Sequence, residues 1–327
     1  MPQTGGRAGR GVASEGHIRA AVIGAGYLGR FHAQKWAALP GATLVAVADP
    51  DPAARARIGA ELGGEVVADW RALLGRVEAV SIATPTPLHH AIARDCLAAG
   101  VHVLLEKPMT STAAEARELI AVAAANGRVL QIGHLERFNA AVQAIETLVT
   151  EPRFIESHRL APFRQRGTDV SVVLDLMIHD IDLIQSVVRS PLVAVEAFGS
   201  SVFSDDLDIA NARLRFASGC IANVTASRVS LKTERKLRLF QDDAYLSLDL
   251  QQKILTVIRK GAAPAAGELP QVAIDERSYE QSDALALQIA AFADSIRTGR
   301  SPLVGGEQGL AALETALRIA TLVRGGA

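Results

Sequence analysis

The sequence predicts an α/β chain: a doubly wound parallel sheet in the first part, then an α+β domain with an open, largely antiparallel sheet. Three observations lead there. From Ile18 short apolar runs alternate with longer amphipathic stretches. After about Phe138 that rhythm gives way to a succession of strand-like segments. The 327 residues are enough for two domains of ordinary size.

In chain order, the runs Ile18–Ile23, Thr43–Ala48, Ala79–Ala83, His102–Leu105 and Val129–Ile132 read as strands. They show little alternation, as expected where a sheet is covered on both faces. Between them Leu28–Ala38, Pro52–Leu62, His89–Ala99 and Thr112–Asn126 are Ala-rich, with apolar residues at helical steps. Beyond Phe138, Asn139–Leu148 predicts a helix, Phe154–Leu160 a strand and Val172–Val188 a helix. Leu192–Phe198, Ile209–Phe216, Ile221–Ser227, Lys236–Phe240, Ala244–Leu250 and Ile254–Ile258 then read as strands of a sheet open on one face. Gly261–Pro270 is a loop by composition, and two Ala/Leu-rich helices, near Asp283–Thr298 and Glu307–Val323, close the chain. The domain expectation is a tail over 1–17, a nucleotide-binding domain over 18–138 and a substrate and oligomerisation domain over 139–327, the last helix packing back on the first domain.

Composition narrows the function classes. Thirty-four basic side chains against thirty-five acidic ones give a net charge of −1, which offers no bulk attraction to nucleic acid or anionic membrane. The first seventeen residues are rich in Gly and polar groups and lack the apolar stretch of a signal peptide; they read as a disordered tail. Nowhere do about eighteen apolar residues run together, so a cytoplasmic protein without a spanning helix is expected. The two cysteines, Cys96 and Cys220, have no zinc-type spacing and read as buried thiols in a reducing compartment.

Gly24-Ala25-Gly26-Tyr27-Leu28-Gly29 follows the first strand and opens a helix. Gly24 permits the turn, Gly26 lets the backbone approach a pyrophosphate, and Gly29 allows close helix packing. The amides of Tyr27 and Leu28 lie at the positive end of that helix. Asp49 ends the second strand about twenty residues on, where a carboxylate hydrogen-bonds ribose hydroxyls and repels a 2′-phosphate. This predicts a Rossmann domain that binds NAD in preference to NADP, although Arg55 or Arg57 leaves a phosphate contact open. Asp49 also reads as a helix cap, and the two roles are compatible. Thr84-Pro85, with His89 in the helix behind them, can supply an edge to the nicotinamide ribose, or serve simply as turn and cap residues.

Glu106-Lys107-Pro108 lies past the strand His102–Leu105, at the carboxyl end where ligands sit in such sheets. Lys107 there reads either as a donor to a reacting hydroxyl or as an exposed loop lysine. Asp175, His179 and Asp182 follow at steps of four and three, which places them along one face of a helix. A His among carboxylates can act as a general base or be structural; no further His cluster supports a metal. His134 and Arg137 stand at the domain junction, where substrate would lie, and Arg137 is equally suited to a structural ion pair.

Together GAGYLG, VADPD, ATPTPLHH, EKPM and DLMIHDID, in this order, resemble the Gfo/Idh/MocA oxidoreductase family over nearly everything from Ile18 onward. The resemblance implies that Lys107, Asp175 and His179 line the active site. His179 would take a hydroxyl proton, Lys107 would hold and polarise the hydroxyl, and Asp175 would orient the lysine or the substrate. Glu106 joins the cofactor residues on the same basis. A homodimer or homotetramer through the open sheet is also implied. Thr168-Asp169-Val170-Ser171-Val172-Val173 departs from the Gly-Gly run that many members carry before the aspartate. That stretch, with GHLERFN and NVTASRVS, resembles the branch containing UDP-N-acetylglucosamine 3-dehydrogenases, which feed lipid A precursor synthesis. On that reading Arg164 and Arg228 would meet the substrate diphosphate, because guanidinium pairs with phosphate in a fork. The same family also holds inositol and other polyol dehydrogenases, NAD-dependent glycosidases and non-enzymatic regulators.

Overall fold

From Ile18 the apolar runs assemble into a six-stranded parallel sheet. Its elements in chain order are β1 (Ile18–Ile23), α1 (Tyr27–Ala38), β2 (Ala42–Ala48), α2 (Pro52–Leu62), β3 (Glu65–Val67), β4 (Ala79–Ile82), α3 (Thr86–Ala98), β5 (His102–Leu105), α4 (Ala113–Ala125) and β6 (Leu130–Ile132). This computed structural model describes residues 17–163, 170–261, 271–280 and 282–325. The tail over 1–16, the larger part of the Gly261–Pro270 loop, and Arg164 with the stretch to Asp169 lie outside the described residues.

The strand order is β3-β2-β1-β4-β5-β6, so the direction of winding reverses between β1 and β4. A crevice at the carboxyl ends of those two strands is the geometric consequence, and it is where such sheets bind ligands. Local chemistry explains the helix ends. Thr112 and Glu115 form a reciprocal cap on α4. Asp51, not Asp49, caps α2, accepting from the amides of Ala53 and Ala54. Helix α3 begins at Thr86, three residues ahead of the predicted start at His89, because Pro87 suits a first turn. Strand β3 and the 3₁₀ turn Trp70–Leu73 are too short to show a period in the sequence.

The second sheet has eight strands, in the order β14-β13-β12-β11-β7-β10-β9-β8. They are β7 (Phe154–Leu160), β8 (Leu192–Ser200), β9 (Ile209–Phe216), β10 (Ile221–Ser227), β11 (Glu234–Phe240), β12 (Ala244–Asp249), β13 (Ile254–Lys260) and β14 (Val272–Ser278). All neighbours run antiparallel except β7 and β10. The short helix α5 (Ala140–Ile145) precedes β7. The helix predicted over Val172–Val188 is a π turn, Val173–Met177, running into α6 (Ile178–Val188). Strand β14 escaped the sequence reading because its side chains are almost all exposed, so no alternation marks it.

One face of this sheet is apolar and covered. Ala210, Ala212, Leu214, Ala222 and Val224 pack with Ile178 and Ile181 of α6 in a single core. The opposite face carries a polar ladder in which Asn211 bonds Thr225, Arg213 bonds Asn223 and Arg238 bonds Glu156. The closing helices α7 (Ala284–Thr298) and α8 (Gly306–Gly325) tie the two sheets together. Phe292 of α7 meets Trp36 of α1 edge-on, and the indole N–H of Trp36 reaches Ser81 of β4. Leu310 and Leu313 of α8 join the parallel-sheet core, while Ala312, Ala316 and Ile319 join the other. Both return to the first domain, so the boundary at Phe138 does not separate the packing. Cys96 and Cys220 are buried, unpaired thiols whose pKa values burial pushes up to about 12 and about 11.

Candidate active site

The glycine loop fills the β1/β4 crevice. Gly24 adopts φ 98°, and a Cβ on it would sit 2.6 Å from the Ala83 carbonyl oxygen. A Cβ on Gly29 would lie 1.8 Å from the Gly24 oxygen, so the loop closes only on glycine. Gly26 differs: its φ is −68°, and a Cβ there would meet nothing within 4 Å. Among the described residues nothing requires glycine at that position; the free space lies before the first turn of α1, which Tyr27 and Leu28 begin, at the positive end of the helix. A cleft of about 700 Å³ extends from this loop, between Asp49 and Trp70 on one side and Thr84, Pro85 and Leu88 on the other. The Asp49 carboxylate accepts from the amides of Ala25 (2.6 Å) and Asp51 (2.8 Å), fixing the loop to the end of β2. Arg55 is held by the Asp49 and Pro50 carbonyl oxygens. Thr84 Oγ1 is buried without a partner among the described residues.

At the carboxyl end of β5, Lys107 crosses to the second domain. Its Nζ donates to the Asp175 carbonyl oxygen at 2.8 Å and lies 3.2 Å from Asp175 Oδ1. The π turn presents that carbonyl, because its backbone ladder is shifted by one residue. Behind Lys107, Glu106 is enclosed: Oε1 meets His32 Nε2 at 2.9 Å, and Oε2 accepts the Lys107 amide. Gly133 packs so closely that a Cβ there would fall 2.8 Å from the Glu106 carboxyl. Burial opposes ionisation of Glu106, yet the hydrogen bond and charge of His32, with the charge of Lys107, outweigh it and hold its pKa below the usual range. The peptide between Lys107 and Pro108 is cis.

His179, one turn after Asp175, has a half-buried ring whose Nδ1 is enclosed without a partner among the described residues. The His134 ring packs against it edge-on, 6.3 Å between centroids. Burial, then the charges of Lys107, Arg159, His134 and Arg235, drive the His179 pKa well below its ordinary value. The imidazole is therefore neutral near pH 7, the state a proton acceptor needs. Asp175 thus holds Lys107, and His179 follows one turn later, near enough for the charge of Lys107 to act on its ring.

Residues 18–134 match the model described as the oxidoreductase family, NAD-binding Rossmann fold, and residues 141–247 match the GFO/IDH/MocA C-terminal domain. The UDP-N-acetylglucosamine 3-dehydrogenase of Acidithiobacillus ferrooxidans is 39% identical over 94% of this chain and 97% of its own length. The chain belongs to the Gfo/Idh/MocA oxidoreductase family. A solved structure of the Acidithiobacillus enzyme superposes with a TM-score of 0.90 at 39% identity, covering 94% of this chain and 98% of that one. An inositol 2-dehydrogenase of Pseudomonas fluorescens is 27% identical over 88% of each chain. This Gfo/Idh/MocA member is accordingly a dehydrogenase acting on a CH–OH group, with an NAD-binding Rossmann domain. The open space at Gly26, the cleft beyond it and the acidic end of β2 fit that cofactor.

Several residues nominated from the sequence of this Gfo/Idh/MocA protein stand elsewhere. His89 is 1% exposed, its ring lying between the carbonyl oxygens of Thr84 (2.8 Å) and Pro108 (3.0 Å). It clamps two loops together and has no ring nitrogen left for a cofactor. Glu106 likewise points inward to His32, not toward the cleft. Arg137 and Asp182 are buried and face one another, 3.4 Å apart. The π turn shifts Asp175 relative to the regular α6 that follows, and within α6 Asp182 falls on the buried face. Arg228, 5% exposed, binds Asp208 at 2.8 Å and the carbonyl oxygens of Val170 and Leu207. It holds the chain entering the π turn, and its fork is turned away from solvent. Four residues escaped the sequence reading. Trp70 and Arg71, stacked at 4.6 Å, flank the nucleotide cleft, but a short 3₁₀ turn gives no periodic signal. His32 lies on the buried face of α1, and Arg159 joins Asp180 and Glu136 in a buried ion cluster. A charged residue at an inward position of β7 was the available clue to Arg159. Among the described residues no helix is long and apolar enough to cross a membrane, and no cluster of His, Cys, Asp and Glu is disposed to hold a metal.

Proposed function

We propose that this protein oxidises the 3-hydroxyl of UDP-N-acetylglucosamine to a ketone, with NAD as the oxidant. The observation that carries the reading is the convergence of Lys107, Asp175 and His179 in a chain 39% identical, over nearly its whole length, to a UDP-N-acetylglucosamine 3-dehydrogenase. NAD, when bound in the β1/β4 crevice, supplies the acceptor for the hydride that leaves the carbinol carbon.

The chain's own groups do the rest. Lys107, anchored by Asp175 at both oxygens, offers its remaining N–H to the substrate hydroxyl and stabilises developing alkoxide character. His179, kept neutral by burial and surrounding cations, accepts the hydroxyl proton. His134 backs the imidazole and limits its rotation. The buried Glu106–His32 pair fixes the backbone on which Lys107 stands.

Purified protein incubated with NAD and UDP-N-acetylglucosamine should form NADH and a 3-keto sugar nucleotide in equal amounts, detectable by absorbance and by trapping the ketone. If myo-inositol is oxidised instead and the sugar nucleotide is not, the substrate reading fails and the polyol alternative, favoured by the inositol 2-dehydrogenase relative, replaces it.

A further inference from the structure

A nucleotide diphosphate in this cleft needs a guanidinium or ammonium with free donors, and three arginines near the domain junction do not provide one. Arg137, Arg159 and Arg228 are each at most 10% exposed in their side chains and are paired with Asp182, with Asp180 and Glu136, and with Asp208. Arg235 is different. It is the second residue of β11, opposite Arg159 near the carboxyl end of β7 and on the same face of the sheet. Its side chain is 48% exposed, and its nearest acidic partner, Glu136 Oε1, is 3.6 Å away, beyond hydrogen-bond reach. Glu136 is already engaged by Arg159 at 2.9 Å. The fork of Arg235 makes no hydrogen bond to any described residue.

Its position relative to the chemistry is set by two links. Arg159, its cross-strand neighbour, grips Asp180, the residue next to His179. The charge of Arg235 also acts directly on the His179 ring. In a pyranose nucleotide the first phosphorus stands four bonds from C3, a span of about 5 Å. A sugar whose 3-hydroxyl reaches His179 therefore carries its first phosphorus about 5 Å from the reacting carbon, in the neighbourhood where the charge of Arg235 is felt.

Building on the UDP-N-acetylglucosamine reading, we propose that Arg235 is the substrate-binding residue that grips the diphosphate and selects nucleotide-linked sugars over free sugars and polyols. The fork geometry of arginine suits two phosphate oxygens at once, and a half-exposed site leaves the charge available without the penalty of full burial.

The test compares wild type, Arg235→Met and Arg235→Lys, with UDP-N-acetylglucosamine as substrate and UDP as a binding probe in calorimetry. Thermal unfolding and NAD affinity serve as controls for the fold. Loss of a charge-assisted fork should raise KM for the sugar nucleotide, and Kd for UDP, about ten- to hundredfold in Arg235→Met. The loss should fall on KM more than on kcat, and Arg235→Lys should recover part of it. Wild-type turnover of UDP-N-acetylglucosamine together with unchanged KM and UDP affinity in Arg235→Met would overturn the role of Arg235 while leaving the substrate reading intact. Absence of both turnover and UDP binding in the wild type would instead remove the substrate reading, and this proposal with it.

Discussion

The nucleotide cleft at the ends of β1 and β4 and the catalytic cleft around Lys107, past the end of β5, are built from different materials. The nucleotide cleft is shaped by backbone: Gly24, Gly26 and Gly29 set its contour, and few charged side chains enter it beyond Asp49, Asp69 and Arg71. The catalytic cleft is shaped by charge: Lys107, Asp175, His179 and Arg235 come from separate elements and are held by buried ion pairs behind them. Removing a side chain should therefore have different consequences in the two places. In the first it changes how a ligand fits; in the second it changes chemistry or the stability of the supporting shell.

The largest effect expected from this contrast is at His179. His179→Asn should lower kcat by a hundredfold to ten-thousandfold while NAD affinity, measured by calorimetry, stays near wild type. A comparable loss of NAD affinity would erase the distinction between the clefts. Arg228→Met probes the supporting shell. Leaving Asp208 buried without its partner should destabilise the fold by about 3 kcal/mol in urea unfolding, with KM for the sugar nucleotide little changed in the surviving native protein. A selective rise in KM would return Arg228 to the substrate site. Gly26→Ala should fold with an unaltered melting temperature, since its Cβ meets nothing, yet weaken NAD binding by about tenfold or more through overlap with the ligand. Unchanged affinity would show that the ligand does not approach there.

The smallest effect is on stability with pH. Burial lowers the pKa values of His89, His134 and His179, and takes His102, whose Nδ1 accepts the Val129 amide, down to about 4. In the unfolded chain these groups bind protons near pH 6.5. Above that value both states are neutral and stability is complete; as pH falls from about 6.5 toward the depressed folded values, the unfolded state binds more protons and stability is lost. Urea midpoints should thus drop steadily over that window, and His179→Asn should flatten the slope.

The same contrast explains what the sequence made legible. Asp49 and the glycines were readable because a crevice made of backbone depends on a local strand–turn–helix pattern, and Gly24 and Gly29 announce the close approaches they permit. Lys107, Asp175 and His179 were nominated by motif resemblance; spacing alone left each of them open. What spacing could not show was the partner of each charge. Arg137 and Arg228 carry the same chemistry as Arg235, but only the folded arrangement reveals which guanidiniums are already answered by a carboxylate. Strand β14, with its exposed edge, and the π turn at Asp175 likewise leave no periodic trace.

The account rests on Lys107 and His179 acting on a single sugar hydroxyl. A crystal structure of the wild-type protein with NADH and UDP-N-acetylglucosamine, a pair that cannot react, measures this directly. The expected result is a 3-hydroxyl oxygen within about 2.6–3.2 Å of both the His179 imidazole and Lys107 Nζ. A sugar ring bound with that hydroxyl in contact with neither group would contradict the proposed chemistry.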